Sequence, residues 1–138
     1  MLERHLFKAK RKDSGEWVFG GLAYCEKTGA YFITNMGKDH ISYIGYHQEV
    51  NPDTICQCTG LKDKNGNLIW ENDIIAYWDS YSTESGLAEA DCIGKVVWDD
   101  ETISFQVTNR LSAESYEVLG DECSVIGNVF DNQEMLEE

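Results

Sequence analysis

Two cysteines separated by one residue, Cys56 and Cys58, are the first candidates for chemistry. Their thiolates could supply half of a tetrahedral zinc set, but a structural zinc site needs a second ligand pair, and none is closely spaced elsewhere. Cys25, Cys92 and Cys123 stand alone. Residues i and i+2 of a strand point to one face, so the favoured reading is two small apolar thiols packed side by side. Asp99, Asp100 and Glu101 offer hard oxygen ligands for Mg²⁺ or Ca²⁺, yet the spacing of a calcium loop is missing. A solvated turn is expected there. Asp73 could act as a general acid. A carboxylate at the entry of an apolar strand more often accepts backbone N–H bonds and fixes the preceding turn, and that role is assigned to it here.

The remaining candidates are weaker. His5, His40 and His47 have no Ser, Cys or Asp at a suggestive spacing. Gly60 and Gly66 are not followed by the Gly-Lys-Ser/Thr of a phosphate loop. Trp17, Trp70, Trp78 and Trp98 could stack on bases only beside a basic groove, and the Trp-rich half of the chain is acidic, so core packing is expected. No catalytic, cofactor-binding or metal-ligating residue is therefore assigned. The alternative is an enzyme whose site is assembled from scattered residues, with Asp73, His47 and Asp99 to Glu101 around a divalent metal.

These residues need elements to position them, and composition limits what the elements are. The 138 residues include four Trp and seven Tyr but a single Pro, which suits a packed fold. No apolar run approaches the roughly 20 residues of a membrane helix. The opening MLERHLFKAKRK lacks the apolar core of a signal peptide, so a cytoplasmic protein is expected, with reduced thiols. The net charge of −14 is unevenly spread: residues 71 to 138 hold seventeen acids against Lys95 and Arg110, while residues 1 to 12 hold five Lys or Arg against Glu3. Such a field repels nucleic acid and anionic membranes and favours basic partners or solubility.

Residues 58 to 73, CTGLKDKNGNLIWEND, give the clearest local signal. Asn65-Gly66 predicts a two-residue type I′ hairpin, which sets Leu61 opposite Trp70 and puts Leu61, Leu68 and Trp70 on one buried side. Strands are predicted over Glu3 to Lys10, Trp17 to Cys25, Ala30 to Thr34, Ile41 to Tyr46, Ile55 to Leu61, Ile93 to Trp98, Ile103 to Thr108, Tyr116 to Leu119 and Val125 to Phe130. Gly20-Gly21 inside the second predicts a bend where a sheet curls. Ile74 to Trp78 is continuously apolar and predicts a central strand covered on both faces. Ser80 to Ala90 is small, polar and acidic and predicts a mobile loop, and Asn132 to Glu138 a short helix or frayed end. About ten short strands argue for an all-β fold.

Three blocks in order carry a family resemblance: WVFGGL from Trp17 to Leu22, NPDTICQCTGLKDKNGNLIWENDII from Asn51 to Ile75, and VIGNVFDNQEML from Val125 to Leu136. The chain resembles the YopX family of small phage and prophage proteins of Gram-positive bacteria. Cys56 and Cys58 stand where members usually have Gly and Tyr, and Asn72 where they usually have Gly. The resemblance implies a multi-sheet β fold with partial barrels, as one domain over 1–138 or as two intertwined lobes over about 1–50 and 51–138. It carries no established activity. The expected function is that of a non-enzymatic accessory protein acting through binding of an unknown phage or host protein or through homo-oligomer assembly. No direct nucleic acid contact and no membrane partner are expected. An acidic mimic of nucleic acid, occupying the basic groove of a host protein, is a further alternative.

Overall fold

A computed structural model describes residues 5–35, 46–83, 86–109, 112–117 and 122–136. The described residues are all β: eleven strands in antiparallel pairings, with short 3₁₀ turns. The chain divides into two compact units, Met1–Cys58 and Thr59–Glu138.

In the first unit β1 (Phe7–Lys10), β2 (Trp17–Cys25) and β3 (Ala30–Asn35) form a meander, and β4 (Tyr46–Val50) adds to β3. The opening strand is shorter than the predicted Glu3 to Lys10, with His5 outside it in a turn. The predicted Ile41 to Tyr46 strand lies almost wholly outside the described residues; pairing is seen from Tyr46 onward. Gly20 and Gly21 do bend the sheet. Trp17 to Gly20 pair with β1, whereas Gly21 to Cys25 pair with β3, so the strand changes partner at the two glycines. Gly20 takes φ +157°, and a Cβ there would sit 2.1 Å from the Thr34 carbonyl oxygen. Only glycine allows this approach.

The sheet then curls back on itself. Arg11 bridges Val50, Lys12 N–H donates to Glu49 O at 3.0 Å, and Asn51 N–H donates to Lys10 O at 2.9 Å, so the outer edge of β4 meets the end of β1. The 3₁₀ turn Pro52–Thr54 follows, with the Asn51 side chain accepting Asp53 N–H and Thr54 Oγ1 accepting Lys10 N–H. It delivers β5 (Cys56–Lys62) to the free side of β1, where Lys8 pairs with Cys56 and Phe7 with Gln57. The partial barrel encloses Ala9, Ile33 and Val50, with Phe7, Val18, Tyr31 and Ile55 packed against them.

In the second unit the continuation of β5 from Thr59 forms a hairpin with β6 (Leu68–Trp70). The turn differs from the expected one. Gly66 N–H donates to Asp63 O and Asp63 N–H to Asn67 O, and Gly66 alone in this turn has positive φ, +84°. This is a type I turn closed by a glycine bulge, with three residues between the Asp63–Asn67 pair. One residue more than a type I′ turn shifts the register by one. Leu61 is 43% exposed, while Ile69 is fully buried and Trp70 is 7% exposed. The expected shared face of Leu61, Leu68 and Trp70 is therefore wrong.

The strands β7 (Asp73–Thr83), β8 (Gly86–Asp99), β9 (Ser104–Asn109), β10 (Ser112–Glu117) and β11 (Cys123–Asn128) form a sheet in the order β10-β9-β8-β7-β11. β7 is interior, and consecutive Ile74 and Ile75 are both buried, as a strand covered on both faces requires. The predicted loop at Ser80 to Ala90 is instead the arms of the β7–β8 hairpin, with Ser80 opposite Glu89 and Thr83 opposite Gly86. A ladder is made by backbone groups whatever the side chains, and Tyr81 and Thr83 favour extended chain. One face of the sheet buries Ile75, Val96, Val107 and Cys123 with Ile69 from β6, flanked by Tyr77, Phe105 and Val125. The chain closes in a 3₁₀ turn at Gln133–Leu136, in keeping with the short helix expected there.

Candidate functional site

The structure uses most of the candidate ligands as scaffold. Cys56 and Cys58 are fully buried, and the Cys56 thiol donates to Thr54 O at 3.3 Å. All five cysteines are free thiols. Among the described residues no group of three or more His, Cys, Asp or Glu is placed to hold a metal ion. Asp73 is buried and its Oδ2 accepts Trp70 N–H at 2.8 Å across the β6–β7 turn, the structural role expected of it. His47 pairs through its backbone with Thr34 in the first unit, and His40 lies outside the described residues. The scattered assembly of Asp73, His47 and the acidic tip is thus not brought together within either unit.

Of the four tryptophans, Trp70 is core. Trp17 carries Lys8 Nζ at 4.6 Å and Lys10 Nζ at 5.4 Å from its ring centre, a cation–π arrangement. The side chain of Trp78 lies outside the described atoms. Trp98 stands well out, 42% exposed.

Asp63, which sequence reasoning misses, is a buried carboxylate that accepts three backbone N–H groups. Its Oδ1 accepts Asn65 N–H and Asn67 N–H at 2.9 Å each and its Oδ2 accepts Val125 N–H at 2.8 Å. Burial pushes its pKa up, but the N–H bonds from Val125, Asn67 and Asn65 outweigh this and hold it below the usual carboxylate value. Lys64 N–H also donates to Cys123 O, so the hairpin turn is fastened to the start of β11. The Asp at the first position of Asp-Lys-Asn-Gly was the available signal, since type I turns favour Asp there.

An open cleft of about 370 Å³ in the first unit is lined by Arg11, Lys12, Asp13, Gln48 and Glu49. Its charges are matched: Arg11 Nη2 lies 2.8 Å from Asp13 Oδ2 and Lys12 Nζ 3.2 Å from Glu49 Oε2. Gln48 Oε1 is buried and finds no partner among the described residues. Balanced, exposed ion pairs give the cleft no preference for a charged ligand.

The third feature is the tip of the β8–β9 hairpin. Asp99 Oδ1 accepts Glu101 N–H at 3.1 Å, Asp99 Oδ2 accepts the Thr102 hydroxyl at 3.0 Å, and Asp100 Oδ1 accepts Trp98 Nε1–H at 2.8 Å. The acidic tip is a hydrogen-bonded turn, as expected. Trp98 meets Phe105 edge to face at 5.0 Å between ring centres. Ile103, in the same turn, is 74% exposed at φ +55°. Nothing in the sequence signals this, because a β-branched residue in left-handed conformation is contrary to local preference.

The described structure is that of an all-β protein of antiparallel sheets in which no described helix is long and apolar enough to cross a membrane. The chain belongs to the YopX family: the family model of the YopX protein matches residues 6–137. Among curated proteins none matches the sequence.

Proposed function

We propose that this YopX-family chain is a non-enzymatic accessory protein of phage or prophage origin that works in the cytoplasm of its bacterial host by binding another protein. The observation that carries this reading is the partition of charge. Met1–Cys58 holds equal numbers of acidic and basic residues, seven of each, whereas Thr59–Glu138 holds eighteen Asp and Glu against four Lys and Arg. The whole net charge of −14 therefore belongs to one unit. A surface of one sign attracts a partner of the other, speeds encounter and turns away nucleic acid and anionic lipid.

Affinity capture with the full chain at low salt, followed by release in a salt gradient, tests the reading. A basic protein in near-stoichiometric amount, released well before about 1 M salt, is the expected result. Light scattering on the purified chain decides whether a second copy is the partner instead. A strictly monomeric chain that captures nothing beyond an empty matrix would remove the basis for the proposal. If duplex DNA displaces a captured DNA-binding protein, the chain is an acidic mimic of nucleic acid.

A further inference from the structure

We infer that the tip of the β8–β9 hairpin is the docking element of the second unit, and that it enters an apolar pocket rimmed by Lys or Arg on a different protein. This rests on the protein-binding reading above and adds the site and the chemistry of the partner. Trp98 and Ile103 are large apolar side chains, 42% and 74% exposed, at one end of a sheet whose core is closed by other residues. Phe105 joins the two regions: it packs against the core cluster and takes the Trp98 ring edge to face. The Trp98 indole is held a second time, through Nε1–H to Asp100. An exposed aromatic fixed in this way loses little rotamer freedom on binding, and Trp is enriched, with Tyr and Arg, among the residues that dominate binding near the centre of protein interfaces.

The surrounding charge selects the occupant. Asp99, Asp100 and Glu101 lie between Trp98 and Ile103 in the tip, and from Val96 to Asn109 there is no Lys or Arg. An anionic lipid surface or a nucleic acid strand meets repulsion at this tip, and a second copy meets the same carboxylates facing its own. A pocket with a basic rim satisfies both the apolar anchor and the acidic border.

The test places a benzophenone amino acid at Glu101, and separately at exposed Tyr24 of the first unit, in the full chain expressed in bacterial cells. The expected result is a discrete adduct from the Glu101 position whose partner, identified by mass spectrometry and purified, binds the unmodified chain in solution. Ile103→Gly should weaken that binding about tenfold or more while leaving the fold at least as stable, because glycine relieves the positive φ. Glu101→Lys should weaken it several-fold and flatten its salt dependence. The inference is overturned if the adduct is a second copy, if Ile103→Gly binds as tightly as the unmodified chain, or if the Glu101 position yields no adduct. An adduct from Tyr24 alone would leave protein binding standing and place it elsewhere. Silence at both positions together with empty affinity capture would remove both readings.

Discussion

Both oxygens of Asp63 are taken by backbone N–H groups, and this makes the residue irreplaceable even by its closest relative. In Asp63→Asn one oxygen becomes an NH₂ group, which must face either the Val125 N–H or the Asn65 and Asn67 N–H pair as a second donor. The expected cost is about 1–3 kcal/mol, read by urea denaturation. The pH dependence follows from the same bonds. The folded pKa lies below the unfolded value, so the stabilisation is fully present above the unfolded pKa and is lost as pH falls through the folded one, that is, below about pH 4. The slope of stability against pH in that range should be shallower in Asp63→Asn than in the native chain. Ile103 and Asn72 make a second comparison, since both have positive φ, +55° and +70°. Asn tolerates this region and Ile does not. Ile103→Gly should raise stability by about 1 kcal/mol and Asn72→Gly by a few tenths, measured by the same unfolding curves.

Among the elements, two glycines separate conformational from steric demand. A Cβ on Gly66 would have nothing within 4 Å of it, so Gly66→Ala meets only the cost of positive φ, about 1 kcal/mol. Gly20→Ala puts a methyl group 2.1 Å from Thr34 O and forces β2 and β3 apart. It should cost at least about 3 kcal/mol and broaden the unfolding of the first unit, with thermal denaturation as the readout. The bend at Gly20-Gly21 was legible because a glycine pair inside a strand has few other uses. The β5–β6 hairpin was legible as a hairpin but not in register: Asn-Gly serves both a type I′ turn and a type I turn with a glycine bulge. Only the bonds of Asp63, one of them from Val125 far along the chain, select the second. The arms from Ser80 to Thr83 and Gly86 to Ala90 were hidden for a different reason, since an interstrand ladder leaves no mark in side-chain hydropathy. The candidate site was least legible of all. The acidic turn could be read from Asp99 to Glu101, but the placement of Trp98, Ile103 and Phe105 depends on how β8 and β9 pair and end.

For the whole molecule, the concentration of net charge in Thr59–Glu138 sets a cost as well as a partner. Like charges on one compact body repel, and salt within a Debye length of about 10 Å at 0.1 M screens them. Raising sodium chloride from about 20 to about 500 mM should raise the melting temperature of this unit, and hydrogen exchange should show slower opening of β7 to β9. A lower melting temperature at high salt would mean that attractive pairs outweigh the repulsion.

Closure of the first unit also has a consequence in time. During synthesis β1, β2 and β3 can pair as soon as they emerge, but the partners on the other side of β1 and at Arg11 come from residues 46–62. Until then the nascent meander presents an open edge along β1, the kind of template on which chains join one another. Lys8, Lys10, Arg11 and Lys12 lie along that edge. Four cations in five positions should make two such edges repel, so replacing Lys10 and Lys12 by Gln is expected to increase aggregation on refolding from urea, read by light scattering.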